Sequence, residues 1–316
     1  MTIPELINTP STAFSFEVLP PLKGRGIDGL RRTIELLREF DPKYINITHH
    51  RAEYVYRERP DGLMERLYTR RRPGTVAVAA ALQREFGIPL VPHILCSGYT
   101  REETEYQLMD MQILGIENLL LLRGDKAKEA PYFRATEGGH SRTTDLQVQV
   151  NQFNEGHFLD GTPIQNPGPP FSYGVACYPE KHEEAPNLEA DLQVFKLKVA
   201  LGAQYGVTQL FYDNAAYFRF VERCRAEGIT VPIIPGIKPL TRLSQIPLVP
   251  KTFRCDLPEP LAVELRRCTT DEEVKQVGIE WATTQCRQLM AQGVPSLHFY
   301  TVNAVDSIAQ IARRIY

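Results

Sequence analysis

Short apolar or β-branched runs alternate with stretches of helical period along the chain, and the alternation occurs eight times in 316 residues. The spacing predicts strands over 12–19, 43–49, 89–96, 117–123, 172–178, 207–213, 231–237 and 296–302, each followed by a helix. After the first strand, Leu30, Ile34 and Leu37 recur at i, i+4 and i+7, one apolar stripe to lay on a sheet. Thr100 with Glu103, and Thr270 with Glu273, read as capping boxes that open helices. Gly87, Gly115, Gly202, Gly228 and Gly293 stand where helices should stop, because glycine accepts the left-handed cap conformation. A near-continuous apolar run such as Leu119–Leu122 belongs to a parallel strand covered on both faces, and eight βα units are the number that closes a barrel.

The pattern is therefore read as an α/β fold, a (β/α)8 TIM barrel forming a single domain over 1–316. A doubly wound open sheet would give the same alternation. Two segments are extra: 126–171, an insertion after the fourth strand with a short helix near 143–155 inside Pro/Gly-rich sequence, and 241–268, a proline-punctuated elaboration before the last strand. Neither has the composition of an independent domain.

Charge narrows the partners. Lys plus Arg is 36 and Asp plus Glu 38, a net charge of −2 that gives no electrostatic reason for a nucleic-acid or anionic-membrane partner. A small-molecule substrate is expected, and no apolar stretch approaches the roughly 20 residues of a membrane-spanning helix. The six cysteines carry no CxxC pair and the opening Met1 to Pro10 no apolar signal core, so a cytoplasmic protein without a disulfide framework is expected.

In a barrel, catalytic groups project from the C-terminal ends of the strands. Period-two alternation puts Phe14, Phe16 and Val18 on one face of the first strand and Ser15 and Glu17 on the other, so Glu17 points inward if the aromatic face packs on helices. Such an acid can donate a proton to a leaving nitrogen or oxygen; a rim carboxylate paired with a base is the alternative. Other strand ends offer Asn46 and Thr48, His93, Arg123 and Asp125, Gln209 and Tyr300. Arg123-Gly124-Asp125 can be a structural ion pair or a polar wall. Asp191 and Lys198, seven apart on one helix, can touch separate parts of a long polar ligand or stand as two solvated charges. Gly24-Arg25-Gly26-Ile27-Asp28-Gly29 fits G-x-G-x-x-G but follows its strand too late for a dinucleotide fingerprint. His49 and His50 face opposite ways on a strand, and no metal site is assigned.

Taken as a set, Phe14-Ser15-Phe16-Glu17 with Pro20-Pro21, Asn46-Ile47-Thr48, Pro92-His93, Leu122-Arg123-Gly124-Asp125, Ala176-Cys177-Tyr178-Pro179-Glu180 with His182, Asp191 with Lys198, Thr208-Gln209, Ile234-Pro235-Gly236-Ile237 and His298-Phe299-Tyr300-Thr301 resemble the methylenetetrahydrofolate reductase family, in its bacterial catalytic-domain type. The resemblance implies a barrel that binds FAD noncovalently and takes hydride from NADH or NADPH. The hydride would pass to 5,10-methylenetetrahydrofolate, a methyl source for methionine synthesis, with substrates alternating in one pocket. It implies Glu17 as the acid that assists ring opening and Asp125 as the carboxylate near the flavin and pterin. Gln209 and Tyr300 match substrate-binding positions. Thr48, His93, Arg123, Asp125, Ala176, Tyr178, His182, Asp191 and Lys198 match positions that hold the flavin and its phosphate and adenosine arms. Family members are commonly homo-oligomers. Val194, Leu197, Leu243, Ala304 and the Thr48-His49-His50 turn depart from usual family residues. A flavin-free nicotinamide dehydrogenase and a noncatalytic folate- or flavin-binding subunit are the competing readings.

Overall fold

Phe14 and Phe16 leave the first strand on the side where Phe40, Phe299 and Tyr316 lie, with ring centroids 5.4–5.6 Å from that of Phe14. Aromatic packing of this kind fixes which face is outer, and the alternate residues Ser15 and Glu17 turn the other way. In the computed structural model, which describes residues 1–49, 53–126, 130 and 132–316, every position of Ala13–Val18 is buried. Both faces are therefore covered, as in a parallel sheet wrapped by helices.

The chain divides into two compact units, one of Met1–Val18, Arg32–Asn46 and Ser172–Tyr316, the other of Leu19–Arg31 and Ile47–Phe171. In the first unit, Tyr44–Ile47 neighbours Ala13–Val18, which pairs in parallel with the last strand, Ser296–Tyr300. That strand pairs with Gly236–Ile237. Ile233–Ile234 pairs in parallel with Tyr205–Thr208, and that strand with Ser172–Cys177. The seventh strand is thus one segment broken at Pro235, whose missing N–H interrupts the ladder, and its halves serve the neighbours on either side. Strands five, six, seven, eight, one and two follow one another in chain order, with the eighth returning to the first. That cyclic order distinguishes the (β/α)8 barrel from a doubly wound open sheet, in which first and last strands do not meet in this way.

The second unit holds Leu90–Leu95 paired in parallel with Asn118–Leu122, and helices Thr75–Phe86, Arg101–Ile113 and Thr143–Asn154. The expected helix in 126–171 is the last of these. An antiparallel hairpin, Glu53–Glu58 with Met64–Thr69, was not in the expected element order. Its signal is Pro60-Asp61-Gly62, with Gly62 at φ 79° and its N–H bonded to the Arg59 carbonyl at 2.9 Å.

Two further expectations are revised. The sixth strand ends at Thr208 and does not continue to 213. Gln285 and Trp281 of the long helix Asp271–Ala291 take the Phe211 and Tyr212 carbonyls at 2.9 and 3.0 Å, leaving that stretch no sheet partner. The 241–268 elaboration forms two helices, Gln245–Phe253 and Glu259–Arg267, packed through Val249, Leu261 and Leu265 on Leu210, Tyr212 and Leu240. Both capping boxes are present, and Gly87 closes its helix at φ 69°.

Candidate active site

Parallel register sets residues of neighbouring strands at one level and on one side, so the interior of the first unit is built in layers. Ser15 lies opposite His298, and His298 opposite Gly236. Two residues further on, Glu17 lies opposite Tyr300, and Lys238 comes just past the end of Gly236–Ile237.

The lower layer is a hydrogen-bonded cluster. Ser15 Oγ is 3.0 Å from His298 Nδ1 and 3.2 Å from the Leu297 carbonyl. A hydroxyl has one proton, and the carbonyl can only accept, so Ser15 donates to Leu297 and accepts from His298 Nδ1–H. The other ring nitrogen, Nε2, is fully buried, makes no hydrogen bond among the described residues, and lies 4.0 Å from the Glu17 carboxylate. Tyr44 stacks on the same imidazole at 6.0 Å and Tyr300 meets it edge-on at 5.5 Å, so the ring is held on both sides.

The upper layer carries the charges. Glu17 is only 9% exposed, and its backbone carbonyl accepts from Thr301 Oγ1 at 2.6 Å. Tyr300 donates to the Thr208 carbonyl at 2.6 Å, and burial pushes its phenol far up, so it acts only in its neutral form. Gly236 makes room for it, since a Cβ there would come within 2.6 Å of Tyr300 Oη. Lys238 donates to the Val302 carbonyl at 2.9 Å; burial pushes its amine down to about 8, opposed by the charge of Glu17.

A second cluster in this unit surrounds the end of Ser172–Cys177. Gln209 and Glu180 line one small cavity with Tyr178, Lys181, Phe253 and Arg254. Glu180 accepts the Asp256 N–H at 3.0 Å, and desolvation pushes its carboxyl up to about 7. Gln209 Oε1 accepts from the Leu210 N–H at 3.0 Å. His182 packs edge-on against Tyr178, with centroids 4.8 Å apart, and donates its backbone N–H to Asp191 at 2.9 Å. Lys198 Nζ donates to the Ala176 carbonyl at 3.1 Å, so the Ala176, Tyr178, His182, Asp191 and Lys198 expectations fall in one place. Burial pushes the Asp191 carboxyl up, while His182 and Lys198 pull it back. An ammonium, a hydrogen-bonded carboxylate, an imidazole and a phenol match the phosphate, ribose and ring chemistry of a dinucleotide. Val194 and Leu197 of the same helix are exposed. Leu192 and Phe195 form the buried side of the helix Leu188–Ala200, whose first residue, Leu188, is exposed.

In the second unit, His93 is buried opposite Leu120, Thr48 is half-buried, and the Arg123 guanidinium lies 4.6 Å over the Phe133 ring. Gly124, at φ 85°, lets the backbone pass Ser97, whose hydroxyl a Cβ would strike, and Asp125 is exposed beyond it. The G-x-G-x-x-G stretch forms a turn at Leu22–Arg25, and Asp28 opens the following helix, placing a carboxylate where a pyrophosphate would need to sit. His50 lies outside the described residues, and among the described residues no three side chains form a candidate metal cluster. Expectation from sequence assigned no role to His298, Glu180 or Lys238. The signal for His298 was period two, since it shares a face with Tyr300 on Ser296–Tyr300.

The family model described as methylenetetrahydrofolate reductase matches residues 2–316. Methylenetetrahydrofolate reductase (NADH) 1 of Arabidopsis thaliana is 32% identical over 94% of this chain and 47% of its own length. The chain spans about half the length of this and the similar eukaryotic relatives it matches. The 5,10-methylenetetrahydrofolate reductase of Pectobacterium carotovorum is 28% identical over 92% of this chain and 86% of its own. A solved structure from Clostridium thermocellum, described as binding two copies of 5-methyl-5,6,7,8-tetrahydrofolic acid, shares the fold at a TM-score of 0.60 and 14% identity, covering 100% of this chain and 98% of that one.

Proposed function

The chain belongs to the methylenetetrahydrofolate reductase family, and on that premise we propose that it reduces 5,10-methylenetetrahydrofolate to 5-methyltetrahydrofolate with hydride from NADH or NADPH. FAD, bound noncovalently, supplies the two-electron relay between donor and folate, which take turns at one place. The observation that carries the reading is Glu17, almost fully buried opposite Tyr300, with its carboxylate 4.0 Å from His298 Nε2. A carboxyl so placed delivers a proton to the folate N10 as the bond from N10 to the methylene carbon breaks and hydride arrives at that carbon. Asp125 stabilises the cationic form of the opened ring, and Gln209 and Tyr300 orient the pterin. Ala176, Tyr178, His182, Asp191 and Lys198 hold the flavin or its phosphate and adenosine arms, a role the resemblance gives to Thr48, His93 and Arg123 as well. The whole chain acts as one catalytic domain and assembles with copies of itself. The folate described in the Clostridium thermocellum structure supports the choice of substrate class.

Freshly purified protein, scanned between near-ultraviolet and visible wavelengths, is expected to carry an oxidised-flavin spectrum that bleaches anaerobically with NADH or NADPH and returns on adding the methylene folate. Colourless protein that cannot be loaded with FAD would overturn the reading in favour of a flavin-free dehydrogenase.

A further inference from the structure

His298 is a fully buried imidazole whose two nitrogens are unequally served. Its Nδ1–H is donated to Ser15 Oγ at 3.0 Å, which fixes the proton on that side of the ring and leaves Nε2 a lone pair. Among the described residues nothing donates to Nε2. The group that faces it is the Glu17 carboxyl, 4.0 Å away. The other titratable groups around the ring are Tyr44, stacked on it at 6.0 Å, and Tyr300, edge-on at 5.5 Å. Burial pushes both phenols up, so both stay neutral, and Tyr300 gives its proton to the Thr208 carbonyl. From the seventh strand, Gly236 stands opposite His298 with no side chain, and Lys238 bears on Glu17 by charge while its ammonium donates to the Val302 carbonyl. A lone pair and an ionised carboxylate are both acceptors, and two acceptors confronted in a buried layer repel unless a proton lies between them. One proton removes the conflict. On Glu17 it makes an O–H that Nε2 accepts, once a turn about the side-chain bonds of Glu17 shortens the gap to about 3 Å.

We propose that His298 is a positioning residue that keeps Glu17 in its acid form, by accepting at Nε2 the proton that the carboxyl will spend on the substrate nitrogen. This rests on the functional reading above. As folate N10 meets the carboxyl, the Glu17 O–H bond breaks, its electron pair stays on oxygen, and the proton forms the new N10–H bond. The carboxylate left behind again confronts the Nε2 lone pair. An O–H bond of a solvent hydronium or a buffer acid then breaks, and its proton re-forms the Glu17 O–H bond before the next folate arrives. Ser15 completes the device: its hydroxyl is already donated to the Leu297 carbonyl at 3.2 Å, so it offers Nδ1 a lone pair and holds the ring in the tautomer that faces Glu17 with an acceptor.

The test uses FAD-loaded full-length protein with nitrogen-labelled histidine, and His298→Gln and Ser15→Ala beside the wild type. Nitrogen NMR follows the His298 ring, assigned by its loss in the glutamine variant and by its displacement in Ser15→Ala. At neutral pH the wild-type ring should carry its proton on Nδ1, with the Nε2 signal moved away from that of a bare nitrogen by the hydrogen bond it accepts. A bare Nε2, or a proton resident on Nε2, overturns the proposal. In stopped flow, His298→Gln should slow the folate half-reaction by about 10- to 100-fold at neutral pH, with the KM for the folate unchanged in steady state and flavin reduction by the nicotinamide donor unaffected. That deficit should shrink as the pH is lowered toward about 5, where solvent protons load the carboxyl without help. Ser15→Ala keeps the ring but frees its tautomer, so it should show a smaller deficit with the same pH dependence, and it carries the test if the glutamine variant does not fold. A deficit of equal size at every pH would show that His298 only fills its layer, and overturns the proposal. Normal folate turnover with a bare Nε2 would overturn the proposal alone. A hydrogen-bonded Nε2 without folate turnover in the wild type would overturn the functional reading itself, and with it the use made of the proton.

Discussion

Replacing the Glu17 carboxyl by an amide keeps its shape and its place opposite Tyr300 but removes the transferable proton. Glu17→Gln should slow the folate half-reaction by about 10²–10⁴-fold and leave flavin reduction nearly intact, as stopped-flow traces of the separate halves would show. Equal losses in both halves would remove Glu17 from the acid role. Asp125, by contrast, is exposed at the end of its strand. Asp125→Asn should weaken folate turnover more than flavin retention, and a variant purified without flavin would make Asp125 a binding residue instead. Gly124 carries a backbone requirement: at φ 85°, with Ser97 Oγ against the missing Cβ, Gly124→Ala should cost about 1–3 kcal/mol in denaturant unfolding.

At the level of elements, the capping boxes show how local sequence and fold agree. Thr270 accepts the Glu273 N–H at 3.3 Å at the head of Asp271–Ala291, the helix whose Trp281 and Gln285 fix the chain after the sixth strand. Thr270→Ala should lower stability by about 1 kcal/mol, and Thr270→Asn should restore most of it. Strand positions were legible wherever apolar runs and helix stops were both present, and the inward turn of Glu17 followed from the aromatic parity of Phe14 and Phe16. The end of the sixth strand was not, because Val207–Asp213 is equally β-like throughout. What ends it is a pair of side chains some 70 residues away, which no local window contains. The Ser15–His298 bond, across 283 positions, is hidden for the same reason.

Over the whole molecule, Glu180 links stability to pH. Its folded-state affinity for a proton is raised to about 7, so its contribution to stability is complete at pH below the ordinary carboxylate range and is lost as pH rises through about 7. Because the group is half-buried, the effect should be about 1–2 kcal/mol and not the full value of the shift. Chemical denaturation at about pH 5 and about pH 8 should show the wild type losing this much more than Glu180→Gln, which cannot ionise. Equal losses would mean that water reaches the carboxyl freely. The break at Pro235 has a consequence for how such a wall can evolve. Each half of that stave is two residues long, so the odd–even count from Gly236 decides what the interior receives. One extra residue inserted after Pro235 would move Gly236 away from His298 and put a side chain where a Cβ meets the Thr208 carbonyl and Tyr300, while leaving the stave's length almost unaltered. Deletions and insertions there should therefore survive only in pairs.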